Sequence, residues 1–182
     1  LLKTKWTKEG TLAAKTAAQN AYFSSTGKRK TVRNYLVYWL SQWVEKYGVD
    51  GFRCDTAKHV ELASWKALKT ECSSALQKWR QNNPNKPGAD WDEDFWMTGE
   101  VFPHFLNYDS FYTQGGFDSL INFEFGNSTA GNAAGSGVPN ASSINSKYQG
   151  YAQQINSNDK FNVLTYISSH DTWLARNCDL IY

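Results

Sequence analysis

The sequence predicts an α/β fold in which strands and helices alternate around a parallel sheet. Four short runs have the length and composition of strands, at residues 49–54, 95–99, 117–123 and 162–168. Helical apolar spacing comes before the first and fourth runs and again after the first. Strands that alternate with helices favour a parallel sheet joined by right-handed crossover connections.

The part of the chain before the first predicted strand divides into two segments. Residues 1–30 are polar, basic and rich in Ala, Thr and Lys, and without a sustained apolar period they predict a loop-rich lead-in with a short helix. From Thr31 onward the spacing i, i+3, i+4, i+7 predicts an amphipathic helix that ends at Gly48. Trp39 and Trp43 are interpreted as packing groups on its buried face rather than as a ligand platform.

Further helices and a loop are predicted between the strands. A second helix ends before the turn-rich residues 82–89, and a third covers residues 148–155. The apolar face of the second helix consists of Leu62, Trp65, Leu68, Cys72, Leu76 and Trp79. Residues 126–146 are rich in Gly, Ala, Ser and Asn, which predicts a surface loop.

Composition limits the classes of function. With 182 residues, of which 41% are hydrophobic and 20% charged, the chain reads as one globular domain or part of one. A net charge of +2 from scattered residues gives no reason to expect nucleic acid or an anionic membrane as a partner. No apolar stretch reaches the roughly 18 residues of a membrane span. The odd set Cys54, Cys72 and Cys178 lacks metal-ligand spacing and predicts neither a disulfide framework nor a zinc site.

Three carboxylates follow predicted strands, and their positions suggest chemistry. Asp55, Glu100 and Asp171 come at the C-terminal ends of three runs, which open onto one face in a barrel of parallel strands. Retaining cleavage of a glycosidic bond needs two carboxyl groups about 5 to 5.5 Å apart. Arg53 lies on the same side of its strand as Asp55 and is expected to keep that carboxylate ionised. A lone Asp after a strand is more often a turn former or helix cap, so the interpretation depends on all three together.

The local sequence around each carboxylate resembles a known family. Residues 51–59, Gly-Phe-Arg-Cys-Asp-Thr-Ala-Lys-His, resemble the strand-four signature G-F-R-x-D-x-x-K-H of the α-amylase family, glycoside hydrolase family 13. Residues 99–101, Gly-Glu-Val, are similar to the strand-five region, and residues 168–171, Ser-Ser-His-Asp, to the strand-seven region. The resemblance extends from about residue 31 to residue 172 and is closest to bacterial periplasmic members of the maltose system.

This resemblance implies both a fold and an activity. The fold is a partial (β/α)8 TIM barrel that covers approximately strands four to seven. The activity is retaining hydrolysis of α-1,4-glucosidic bonds in starch, glycogen or maltodextrins. Within it Asp55 would be the nucleophile, Glu100 the general acid and later the base, and Asp171 the transition-state stabiliser.

The resemblance also implies supporting roles and a metal. Arg53 would orient Asp55, His170 would bind the same glucose ring, and Lys58 and His59 would lie on the leaving-group side. In the family the backbone carbonyl at the position of His59 often binds a structural calcium, whose site would be incomplete in this chain. Apart from the motif, His59 is equally well interpreted as a polar loop residue.

The implied partners are an α-glucan substrate and the remainder of the barrel. A complete barrel of this type needs roughly 250 residues, so activity of these residues alone is not expected. The resemblance implies a periplasmic or secreted protein, although the sequence contains no run that looks like a signal peptide. The sequence departs from the family pattern at Cys54, where a small aliphatic residue is more usual, and in residues 172–178.

Two alternatives remain open at this stage. The same carboxylates would serve a transglycosylase or an exo-acting oligosaccharide hydrolase, because specificity lies in loops. A non-catalytic amylase-like fragment that binds glucan without cleaving it belongs to a different class. Retention of all three carboxylates favours the enzyme.

Overall fold

The computed structural model describes residues 2–124, 141–166 and 169–171, and the chain divides into two compact units, Leu1–Leu40 and Ser41–Tyr182. The helices are α1 (Leu2–Lys8), α2 (Leu12–Thr26), α3 (Val32–Tyr47), α4 (Leu62–Asn82), α5 (Ser110–Thr113) and α6 (Ala141–Ile155). The strands are β1 (Gly51–Cys54), β2 (Trp96–Gly99), β3 (Ser119–Asn122) and β4 (Asn162–Thr165), and a 3₁₀ turn covers Ala57–His59.

The first unit corrects the prediction of a loop-rich lead-in over residues 1–30, because α1 and α2 occupy most of that segment. Ala and Lys have high intrinsic helix propensity, which acts without an apolar period. The period is weak because Phe23 is the buried residue of α2. Gly27 ends this helix in the left-handed conformation, with φ of 65°.

Helix α3 forms where the spacing predicts it and ends as predicted. Gly48 has φ of 68° and its N–H donates to the Val44 carbonyl at 2.9 Å. A Cβ at Gly48 would lie 2.4 Å from the Trp79 ring, so both the backbone and the close approach require glycine. The prediction that Trp43 is buried is wrong, since 57% of it is exposed. The apolar residues of α3 are spread around much of its circumference, and its buried side includes Val44 rather than Trp43.

The four strands form one parallel sheet in the order β1-β2-β3-β4. Each described strand therefore pairs with its neighbour in the sequence, as consecutive strands do in a (β/α)8 barrel. In a doubly wound sheet the strand order would instead reverse at a switch point. All four predicted strands are present in the described residues; the end of the fourth prediction, residues 167–168, lies outside them.

The register of β1 and β2 gives the sheet two different faces. Arg53 pairs with Thr98, and Cys54 pairs with Gly99. Because side chains alternate along a strand, Arg53 and Thr98 share one face while Cys54 and the buried Met97 belong to the other. The second face includes the fully buried Met97 and Leu120, whereas β3 is buried on both faces.

Helix α4 is tied to the N-terminal ends of β2 and β3 through a buried lysine. The Lys69 ammonium donates to the Phe95 carbonyl and to Asp118 Oδ2, the latter at 2.6 Å. The same Asp118 oxygen accepts the Met97 N–H at 2.6 Å. A buried charge with a partner and further hydrogen bonds is costly to disrupt, so this contact fixes helix and strands relative to one another.

Helix α6 begins earlier than predicted. Residues 126–140 of the predicted surface loop lie outside the described residues, but residues 141–146 are helical, which corrects that part of the prediction. The apolar face is Ile144, Tyr151 and Ile155, packed with Leu106. The small and polar residues around Ile144 hid the first position of this face. None of the helices in the described ranges is long and apolar enough to cross a membrane.

Candidate active site

Asp55 lies directly after β1, at the carboxyl edge of the sheet. Its Oδ1 accepts a hydrogen bond from the Arg53 guanidinium, and the pair is an ion pair. The Asp55 side chain is 69% exposed and that of Arg53 is 41% exposed. The arginine can therefore hold the carboxylate in one orientation while leaving it accessible to a ligand.

Glu100 lies directly after β2 and is buried, with 9% of its surface exposed. Its backbone N–H donates to the Cys54 carbonyl at 2.8 Å. Its carboxylate oxygen Oε2 accepts the Thr56 N–H at 2.6 Å, and its carbonyl accepts the Ala57 N–H at 2.8 Å. Glu100 is thus attached to the chain on both sides of Asp55.

These contacts bring two of the three predicted carboxylates together. Cys54 and Gly99 are register partners, so Asp55 and Glu100 are the next residues on neighbouring strands. Neighbouring strands lie about 4.8 Å apart. Gly99 has no room for a side chain, since a Cβ there would lie 2.7 Å from Leu120. Close packing beneath β2 therefore fixes the point from which Glu100 projects.

The predicted leaving-group residues Lys58 and His59 lie in the 3₁₀ turn after Asp55. The Lys58 ammonium donates to the Phe102 carbonyl, in the segment that follows Glu100. The turn is held from α4, because the Trp65 indole N–H donates to the Ala57 carbonyl at 3.0 Å. His59 is exposed on this turn.

Asp171 and His170 follow the C-terminal end of β4 in the sequence, as Asp55 and Glu100 follow β1 and β2. His170 Nε2 lies 3.0 Å from Asp171 Oδ2, with the two side chains 79% and 50% exposed. The Asp171 N–H donates to Ser169 Oγ at 3.2 Å. In the described part of the chain these contacts join Asp171 to its own segment and not to Asp55 or Glu100. The structure therefore brings together two of the three carboxylates.

Cys54 is a packing group on the opposite face from Arg53. It is a free thiol, 5% exposed, and so is the buried Cys72 on α4. Burial raises the pKa of the Cys54 thiol from 9.0 to about 12, against a smaller lowering by Arg53. Burial likewise raises the pKa of Cys72 to about 12. The departure from the family pattern at Cys54 lies inside the core and does not alter the exposed side of β1.

We expect both thiols to resist alkylation in the folded protein. The thiolate is the reactive species, and at pH 8 a thiol of pKa about 12 is ionised in only about one molecule in ten thousand. Iodoacetamide at pH 8 followed by peptide mass spectrometry should leave Cys54 and Cys72 unmodified without urea and modify both in urea. Burial raises the pKa of the Cys54 thiol in the folded protein above its unfolded value of 9.0. The contribution of the neutral, buried thiol to the free energy of unfolding is therefore complete below pH 9 and is lost as the pH rises toward 12. Rapid labelling of either residue in the folded protein would contradict the burial.

Comparison with known proteins identifies the family. A profile of the α-amylase catalytic domain matches residues 24–176. That match covers more than half of the chain and includes all three carboxylate motifs. The chain belongs to the α-amylase family. The family predicted from the motifs is thereby confirmed, and with the sheet order so is the partial (β/α)8 barrel.

Individual members of the α-amylase family match the chain over much of its length. The periplasmic α-amylase of Escherichia coli (strain K12) is 47% identical over 146 residues, covering 80% of this chain and 20% of that protein. The α-amylase of Streptomyces lividans is 32% identical over 133 residues, covering 71% of this chain and 13% of that protein. The crystal structure of an Anoxybacillus α-amylase aligns with a TM-score of 0.38 and 27% identity, over 55% of this chain and 19% of that one.

The chain thus spans a fifth or less of the length of these curated relatives. Within the α-amylase pattern, the sequence analysis missed the contribution of Thr56. Its backbone joins Asp55 to Glu100, yet Thr is an ordinary residue for the position after a strand. What distinguishes Thr56 is its backbone conformation, with φ of 48° and ψ of 39°, and no sequence pattern indicates that conformation.

Proposed function

We propose that the chain forms part of a retaining glycoside hydrolase that cleaves α-1,4-glucosidic bonds in starch, glycogen or maltodextrins. The observation that carries the proposal is the placement of Asp55 and Glu100 on adjacent ends of paired strands, linked through the Thr56 N–H at 2.6 Å. The names of its relatives, both α-amylases, support an α-glucan as substrate.

The spacing of the two carboxylates favours retention of configuration. Retaining enzymes need carboxyl groups about 5 to 5.5 Å apart, whereas inverting enzymes need about 6.5 to 9.5 Å to admit a water. The backbones at adjacent positions on paired strands lie about 4.8 Å apart, a spacing close to the one that retaining enzymes need between their carboxyl groups. The arrangement therefore suits a covalent intermediate rather than direct displacement by water.

The two carboxylates have different surroundings, which supports different roles. Asp55 is exposed and held by Arg53, so its side chain is accessible and oriented for attack on the anomeric carbon. Glu100 is buried beside it and would protonate the departing oxygen, then remove a proton from the incoming water. Asp171 and His170 remain proposed sugar-binding groups, and Asp171 would stabilise the positive charge of the transition state.

Calcium remains a proposal that these residues support only in part. The His59 carbonyl is an oxygen donor of the kind that Ca²⁺ prefers, but the ion takes six to eight oxygens in all. Within the described ranges, no group of three or more His, Cys, Asp and Glu side chains is arranged to hold a metal ion. The described residues therefore do not fit a complete calcium site, and no step of the mechanism depends on one.

We also propose a periplasmic or extracellular location, because one relative is a periplasmic α-amylase. Buried, unpaired thiols such as Cys54 and Cys72 are compatible with that compartment because they are shielded from oxidants.

Product stereochemistry tests the proposal. The full-length gene product is incubated with maltoheptaose and the first products are followed by proton NMR. We expect the α-anomer to form first and the β-anomer to appear only by mutarotation, because two displacements at one carbon restore its configuration. An initial β-anomer would contradict the retaining mechanism.

The same samples separate the remaining alternatives. Early products of several different lengths indicate endo action at internal bonds, whereas a single short product indicates exo action from a chain end. Products longer than maltoheptaose indicate transglycosylation. Binding by calorimetry without any new reducing ends would identify a non-catalytic glucan-binding protein and would end the proposal.

A further inference from the structure

We propose that Thr56 is a positioning residue for Glu100, acting through its backbone N–H rather than its side chain. This inference rests on the proposed function, because it assigns Thr56 to the machinery of the same site. It states that the turn after β1 fixes the general acid beside the nucleophile.

The backbone of Thr56 adopts a conformation that threonine rarely takes. Its φ of 48° and ψ of 39° are left-handed, and within the described ranges it is the only residue other than glycine with positive φ. A β-branched residue is strained in this region, and such strain persists where surrounding contacts impose it. The contacts that impose it here all involve Glu100 or the turn itself.

The left-handed turn points two successive amides at one residue. The Thr56 N–H donates to Glu100 Oε2 at 2.6 Å, and the Ala57 N–H donates to the Glu100 carbonyl at 2.8 Å. The Glu100 N–H returns a bond to the Cys54 carbonyl at 2.8 Å. Three hydrogen bonds therefore connect residues 54–57 to Glu100, one of them to its carboxylate.

The turn is itself held from both sides, so it can act as a fixed support. The Thr56 carbonyl accepts the His59 N–H at 3.0 Å, within the 3₁₀ turn. The indole of Trp65 on α4 donates to the Ala57 carbonyl at 3.0 Å. Because Asp55 is the preceding residue, the same backbone that carries the nucleophile also fixes the acid. A single rigid turn thus sets the separation of the two carboxylates.

Removal of one backbone N–H tests this inference. Thr56 is replaced in the full-length gene product by its α-hydroxy acid, which keeps the side chain and substitutes an ester oxygen for the amide. Loss of this hydrogen bond leaves the buried Glu100 oxygen without its backbone donor and the side chain less well placed, which should lower kcat/KM on maltoheptaose about 10- to 100-fold. The matched control is the same substitution at Thr113, whose N–H donates to the Asp109 carbonyl at 3.1 Å outside the site.

A second substrate distinguishes positioning from general damage. Fluoride leaves from α-maltosyl fluoride with little protonation, so kcat/KM for this substrate depends on Asp55 much more than on Glu100. We expect the Thr56 ester to lower kcat/KM on maltoheptaose strongly and on the fluoride only slightly. Equal losses on both substrates, or no loss on either, would overturn the inference.

The possible failures are separable. If the unsubstituted protein hydrolyses neither substrate, the proposed function fails before Thr56 is tested. If it hydrolyses both and the Thr56 ester matches the Thr113 ester, the positioning role fails alone. Thermal unfolding of both esters checks that each is folded. A crystal structure of the unsubstituted protein with Thr56 N more than 3.5 Å from the Glu100 carboxylate would also overturn the inference.

Discussion

Replacement of Asp55 by Asn should abolish hydrolysis of maltoheptaose by the full-length gene product. The amide keeps the shape of the side chain but cannot attack the anomeric carbon, so kcat/KM should fall by at least about 10⁴-fold. Initial rates of reducing-end formation give the value. Asp55 is largely exposed, so the neutral side chain leaves no buried charge and folding should be preserved.

The matched control for this variant is Asp90→Asn. Asp90 is an exposed carboxylate in the turn before β2, at the opposite edge of the sheet. It should leave kcat/KM unchanged. Substantial hydrolysis by Asp55→Asn would remove Asp55 as the nucleophile, whatever the control does.

Replacement of Glu100 by Gln should produce a smaller but still large loss. General acid–base catalysis contributes about 10²- to 10⁴-fold, and kcat/KM on maltoheptaose should fall by that factor. The Gln amide oxygen can still accept the Thr56 N–H, so the turn should keep its conformation. Reducing-end assays measure the loss of kcat/KM, and far-ultraviolet circular dichroism checks that the variant is folded.

The control for this variant is Glu93→Gln. Glu93 is exposed and lies before β2. Its backbone carbonyl accepts a hydrogen bond from the Arg80 guanidinium at 2.8 Å, and the substitution keeps this bond. A Glu100→Gln variant that matched this control in activity would exclude Glu100 as the general acid.

The strands were predictable from sequence because each lies in a short run with the composition of a strand, and helices with a clear apolar period flank the first run and precede the fourth. The order β1-β2-β3-β4 required the family resemblance, since local patterns specify strands but not their neighbours. Only a short helix was predicted in the segment of α1 and α2, because the apolar period was used as the signal. Lysine in α1 and alanine in α2 favour a helix by intrinsic propensity and leave almost no apolar face to detect.

The candidate site was predictable only to the level of residues. The motifs indicated Asp55 and Glu100, and the structure brings them to adjacent strand ends. The hydrogen bonds through Thr56 depend on backbone angles that many sequences could adopt, so no pattern predicts them. Asp171 lies six residues beyond the end of β4, so strand pairing does not fix its position, and its role as stabiliser stays a prediction.

Covalent trapping tests the pairing of Asp55 with Glu100 most directly. The Glu100→Gln variant is mixed with α-maltosyl fluoride, which can form the intermediate without an acid but cannot lose it readily without a base. Intact mass followed by peptide mapping should find one maltosyl group on the peptide that contains Asp55. A maltosyl group on Asp171 or on any other residue, or fluoride release with no adduct at Asp55, would contradict the arrangement proposed for this site.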